Sequence, residues 1–130
     1  MDVGGQHYIV DMWGIPSVML DNPIWIAQIL SIAMHKGQMV ERDRITRWRE
    51  PHGITMIAGM EGGHVAIDTF PEENRLTADL LAFQTTADPE GALDVLLEKF
   101  EPEGFAIQLL TRGQPSELDE PVSGLSTYRA

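Results

Sequence analysis

The side chains best placed to do chemistry cluster between Glu61 and Glu72, in the run Glu61-Gly62-Gly63-His64-Val65-Ala66-Ile67-Asp68-Thr69-Phe70-Pro71-Glu72. Read as a strand, residues 64–69 put His64, Ala66 and Asp68 on one face and Val65 and Ile67 on the other. Asp68, with Glu72 just beyond the strand end, makes a carboxylate pair suited to a sulfonium or an ammonium. Phe70 or Trp48 offers a π face to the same charge. The competing reading is a solvated strand end, where exposed acids need no ligand. His64 has the chemistry of a general base, but the sequence names no partner to orient it. His7 and His64 as a metal pair lack a third ligand, so no metal site is expected.

A second charged stretch, Glu41-Arg42-Asp43-Arg44 followed by Arg47-Trp48-Arg49-Glu50, holds four of the seven arginines. On a strand, Arg42 and Arg44 share one face and Arg47 and Arg49 the other. Salt bridges on an exposed strand account for them. The alternative is a subunit contact or a clamp on a ligand carboxylate. Met56 and Met60 lie on one face of one strand and read as core filler.

The elements that must position these residues follow from periodicity and punctuation. Residues 7–13 alternate and read as a strand, broken by Gly14-Ile15-Pro16. Asp21 or Asn22 caps a helix that has Pro23 in its first turn, carries Trp25, Ile29, Ile32 and Ala33 at helical spacing, and stops at Gly37. Residues 38–48 read as a second strand, and His52-Gly53 as a turn. Residues 54–60 and 64–69 form a hairpin around Gly62-Gly63. A loop from Pro71 to Asn74 leads to a strand over 76–84. Asp88-Pro89-Glu90 opens a helix lined by Leu93, Leu96, Leu97 and Phe100, which Pro102 and Gly104 end. Residues 105–110 are the last strand. An antiparallel sheet with both helices on one face buries every apolar stripe, so the expected class is an α+β two-layer sandwich. It occupies residues 1–112, with residues 113–130 as a mobile acidic tail.

The bulk composition narrows the options. A chain of 130 residues with 43% hydrophobic content supports one domain and one core. Its net charge of -11 repels phosphate backbones, so nucleic acid is not an expected partner. With no Cys, thiolate metal sites, disulfides and a Cys nucleophile are excluded. No apolar run reaches the roughly 20 residues a membrane helix needs, and the first residues do not read as a signal peptide. A cytoplasmic protein without a membrane partner is expected.

Three stretches, in order and in register, resemble the small pyruvoyl-dependent S-adenosylmethionine decarboxylases of bacteria and archaea. Gly5-Gln6-His7-Tyr8-Ile9-Val10-Asp11-Met12-Trp13-Gly14 is similar to the family's G-x-H-x-x-x-D-x-x-G strand. Pro51-His52-Gly53-Ile54-Thr55, then Glu61-Gly62-Gly63-His64, then Ile67-Asp68-Thr69-Phe70-Pro71-Glu72 is similar to P-x-G-V-S followed by A-E-S-H-x-S-I-H-T-W-P-E. Ala87-Asp88-Pro89-Glu90 opens the second helix in the same place. The resemblance spans residues 5–112.

That family implies a proenzyme that cuts itself between a Glu and a Ser and converts the Ser to a pyruvoyl group. The pyruvoyl carbonyl forms a Schiff base with the substrate amine and acts as the electron sink. Here the Ser position holds Gly63 and the Glu position Gly62, and residues 56–68 contain no Ser, Thr or Cys. Glycine has no Cβ, hydroxyl or leaving group, so no pyruvoyl cofactor is expected. The family's catalytic His aligns with Asp68 and its Cys with Phe83. Thr55, Phe70, Pro71 and Glu72 keep the family's character. The implied candidates for ligand contact are Trp48, Thr55, Glu61, His64, Asp68, Phe70 and Glu72.

The resemblance thus implies a pseudoenzyme of polyamine (spermidine) metabolism. It would bind S-adenosylmethionine or a related molecule, as a homodimer or paired with an active homologue. The alternative is a repurposed lyase, in which the substrate's own carboxylate attacks its γ-carbon and methylthioadenosine leaves. Carboxylates that stabilise the ground-state cation would oppose that loss. A decarboxylase using pyridoxal phosphate is disfavoured because Lys36 and Lys99, the only lysines, lie far from the site in sequence.

Overall fold

Strand β1, Gly5–Trp13, shows why the sheet has two unlike faces. Tyr8, Val10 and Met12 are buried on one side, while His7, Ile9, Asp11 and Trp13 alternate with them on the other. The computed structural model describes residues 4–83 and 85–113. The remaining elements are α1 (Ser17–Leu20), α2 (Pro23–Lys36), β2 (Asp43–Trp48), β3 (Ile54–Met60), β4 (Gly63–Phe70), a 3-10 turn (Pro71–Glu73), β5 (Arg75–Ala82), α3 (Pro89–Phe100) and β6 (Gly104–Arg112). Six strands form one sheet in the order β2-β3-β4-β5-β1-β6, each pair antiparallel. Helices α2 and α3 pack together on one face. This is the α+β two-layer sandwich expected from the sequence.

Both long helices start on a side-chain cap. Asn22 accepts a hydrogen bond from the Trp25 N–H at 3.1 Å, and Asp88 accepts one from the Gly91 N–H at 3.0 Å. The core between helices and sheet is built from Ile26, Leu30, Ile54, Ile67, Leu80, Phe100 and their neighbours, all fully buried. Each such side chain contributes about 1.5–3 kcal/mol of transfer free energy. Thr69, the one fully buried polar residue among the described residues, ties the layers together. Its hydroxyl donates to the Leu20 carbonyl at 2.7 Å and accepts from the Ile54 N–H at 3.0 Å. Beneath α3, the Tyr8 phenol is pushed above its ordinary range, first by burial and then by the negative charge of Glu90.

Four local expectations change. The strand expected over 38–48 begins only at Asp43. Gln38 takes a left-handed backbone (φ 53°) and the Met39 N–H turns back to the Met34 carbonyl, so Met39 packs into the core instead of pairing. Ile32 is exposed, because the buried stripe of α2 runs through Ile26, Ile29, Leu30, Ala33 and Met34. Helix α1 lies where only a break was expected, packed against the turn after β4. The strand expected over 76–84 is β5, Arg75–Ala82; residue 84 and the tail beyond Gly113 lie outside the described residues.

Candidate functional site

The face of the sheet away from the helices carries the polar chemistry, and register decides which residues meet. At the start of β4, His64 sits across β5 from His7, since both pair with Leu81. Asp79, two residues earlier on β5, projects from the same face between them. Its Oδ1 lies 2.8 Å from His64 Nε2 and 3.1 Å from His7 Nε2. On the far side of His7, Arg112 Nη1 donates to Nδ1 at 2.8 Å. Arginine has no acceptor, so that contact fixes the His7 proton on Nε2, facing Asp79. Asp79 is therefore the orienting partner for His64 that the sequence did not name. It is also the third group missing from the His7–His64 pair. Alternation along 75–82 was the only signal for it, because its partners lie 15 and 72 positions away.

About 13 Å along β4, at the strand rise of roughly 3.3 Å per residue, lies a second cluster. Thr55 pairs directly with Asp68 and donates its hydroxyl to that carboxylate. Arg49 Nη1 donates to Thr55 Oγ1 at 2.8 Å and stands 3.6 Å from Asp68 Oδ1, while Nη2 donates to the Thr69 carbonyl. The Arg49 guanidinium lies 4.7 Å from the Phe70 ring centre and that of Arg75 lies 4.1 Å away. So Asp68 and Phe70, expected to face a ligand cation, already hold cations of the protein itself. The face assignment for Arg44 and Arg49 holds. Arg44 turns toward the helices, bonding Glu41, Ser31 and the Ala27 carbonyl, and Arg49 turns to the open face.

Glu72 separates two depressions beyond the end of β4. One, of about 560 Å³, is walled by Ser17, Asp21, His52, Pro71, Glu72 and Asn74. The other, of about 240 Å³, is walled by Arg49, His52, Phe70, Pro71, Glu72 and Glu73. Asp21 accepts from the Gly53 N–H at 3.1 Å and lies 3.0 Å from His52 Nδ1, which fixes the wall of the larger depression.

The remaining sequence candidates are scattered. Trp48 pairs with the buried Ile54, so it stands on the helix side of the edge strand, opposite Asp68 and Phe70. Glu61 is exposed in the hairpin turn and pairs with Arg42 at 3.4 Å. Gly62 has a left-handed backbone (φ 70°), as the turn requires. Gly63 starts β4 opposite Ala82, where an added Cβ would run into the Leu81 carbonyl oxygen. Phe83 lies over Gly5 and donates its backbone N–H to the Gly62 carbonyl at 2.8 Å. Among the described residues, no helix is long and apolar enough to cross a membrane.

A family model described as S-adenosylmethionine decarboxylase matches residues 6–113. The S-adenosylmethionine decarboxylase proenzyme 2 of Bacillus anthracis is 30% identical over 109 residues, spanning 84% of this chain and 89% of that protein. The S-adenosylmethionine decarboxylase proenzyme of Archaeoglobus fulgidus is 28% identical over 109 residues, spanning 84% and 97%. The crystal structure of the adenosylmethionine decarboxylase from Aquifex aeolicus superposes with a TM-score of 0.81 at 21% identity, covering 93% of this chain and all of that one, and so shares the fold. By sequence match and identity, this chain belongs to the S-adenosylmethionine decarboxylase family.

Proposed function

We propose that this chain keeps the family's frame without its pyruvoyl chemistry, and acts as a non-catalytic binder of S-adenosylmethionine or a related molecule. The observation that carries the reading is position 63. The residues present do not fit a pyruvoyl group: residues 56–68 offer no hydroxyl or thiol, and the Leu81 carbonyl occupies the space a Cβ would need. The changes at Gly62, Asp68 and Phe83 point the same way. A ligand would sit beyond the end of β4 near Glu72, where the two depressions meet, outside the closed Thr55–Asp68–Arg49 cluster. Pairing with a second copy would cover Ile9, Trp13, Ile45 and Ile57, which stand exposed on that face. In spermidine metabolism such a protein would regulate by holding ligand or by partnering an active homologue.

Calorimetric titration with S-adenosylmethionine, followed by product analysis of the same sample, tests this. Saturable binding with the ligand recovered intact is expected. Release of carbon dioxide would overturn the reading, and release of methylthioadenosine would replace it with the lyase. Sedimentation at micromolar concentration should show a dimer; a monomer that associates only with an active family member would assign the pairing to that partner.

A further inference from the structure

We propose that His7, His64 and Asp79 form a binding site for a divalent transition-metal ion of the zinc and cobalt class, with one coordination position left open toward the uncovered face of the sheet. The donors come from three neighbouring strands, β1, β4 and β5, joined by continuous ladder hydrogen bonds. Their three ligand atoms all lie within 4.8 Å of one another. Ligands about 2.0–2.1 Å from a tetrahedral zinc ion are roughly 3.3 Å apart. The observed 2.8 and 3.1 Å separations from Asp79 Oδ1 need to open by only a few tenths of an ångström. Two imidazoles and one carboxylate suit zinc, cobalt or nickel; magnesium and calcium prefer all-oxygen shells. The His7 side chain is only 13% exposed, so little rotamer freedom is lost when it coordinates. With three protein ligands, the fourth place falls to water or a ligand atom, as in catalytic rather than structural zinc sites.

Arg112 sets the terms of binding. Its donation to His7 Nδ1 holds the His7 proton on Nε2, the atom that must coordinate. Loading the ion therefore requires the single His7 ring proton to pass from Nε2 to Nδ1 by exchange with water, and the guanidinium, which Nδ1–H can no longer accept, to swing away. Arg112 is the exposed last residue of β6, so it can move without disturbing the sheet. Arg112 thus competes with the ion through the tautomer it holds.

The test is titration of the tag-free, chelator-treated full chain with zinc chloride, and with cobalt chloride followed by visible absorption. One ion per chain is expected. Asp79→Ala and His64→Ala should each weaken binding by at least about a hundredfold, since losing only an outer partner of a ligand already costs 10–100-fold. His35→Ala, on an exposed histidine of α2, should leave binding unchanged. Arg112→Ala should tighten it severalfold, an effect that loss of folding cannot mimic. Absence of saturable binding would overturn the proposal, and so would binding that survives Asp79→Ala or is weakened by Arg112→Ala.

Discussion

The two ends of β4 present opposite kinds of polar chemistry. At its start, His64 and His7 direct their Nε2 atoms at one oxygen of Asp79, and His64 Nδ1 and the second Asp79 oxygen take no part in those two contacts. At its end, Asp68, Thr55, Arg49, Phe70 and Arg75 satisfy one another. The first end has donor capacity to offer a ligand or ion; the second has closed on itself. A carboxylate and an aromatic ring in sequence therefore do not make a cation site when arginines from β5 and the segment after β2 reach them first.

Substitutions can break or sharpen this contrast. Gly63→Ala at the start of β4 should cost about 2–3 kcal/mol, because the new Cβ meets the fixed Leu81 carbonyl and must push the β4–β5 ladder apart. A urea midpoint unchanged from the parent would show that the strand start is loose. Thr69→Val, behind the closed end, should cost about 1–3 kcal/mol by leaving the Ile54 N–H and the Leu20 carbonyl without that hydroxyl. Phe70→Ala should cost about 1–2 kcal/mol through two lost guanidinium–ring contacts, and thermal melts at low and high salt would measure it. His64→Ala in metal-free protein should change stability by less than about 0.5 kcal/mol, since its ring is partly exposed and bears on binding rather than folding. A large loss there would make the histidine cluster a structural staple.

Much of the fold was legible because it is local. The Gly62-Gly63 turn, the Asp88 cap and the alternation of β1 and β4 each rest on residues a few positions apart. Sequence alone offers Asp21 or Asn22 as the helix cap; Asn22 caps, and Asp21 turns to His52 and Gly53. The site was less legible because it is made by register. Asp79 meets His7 across 72 positions, and Arg49 reaches the Thr69 carbonyl across 20. Trp48 falls on the wrong face for a site with Asp68 because the β2–β3 register sets it beside Ile54. None of these pairings has a short-range signature, whereas position 63 needed none: the absence of a side chain there is plain in the sequence.

That position also gives the most direct test. The intact mass of the purified chain, and of its Gly63→Ser variant, should in each case show a single full-length species. The variant supplies a hydroxyl but still sets its Cβ against the Leu81 carbonyl, and it leaves Gly62, Asp68 and Phe83 as they are. Two fragments of the parent chain, with a blocked new terminus near residue 63, would contradict the account and make this protein a self-processing decarboxylase.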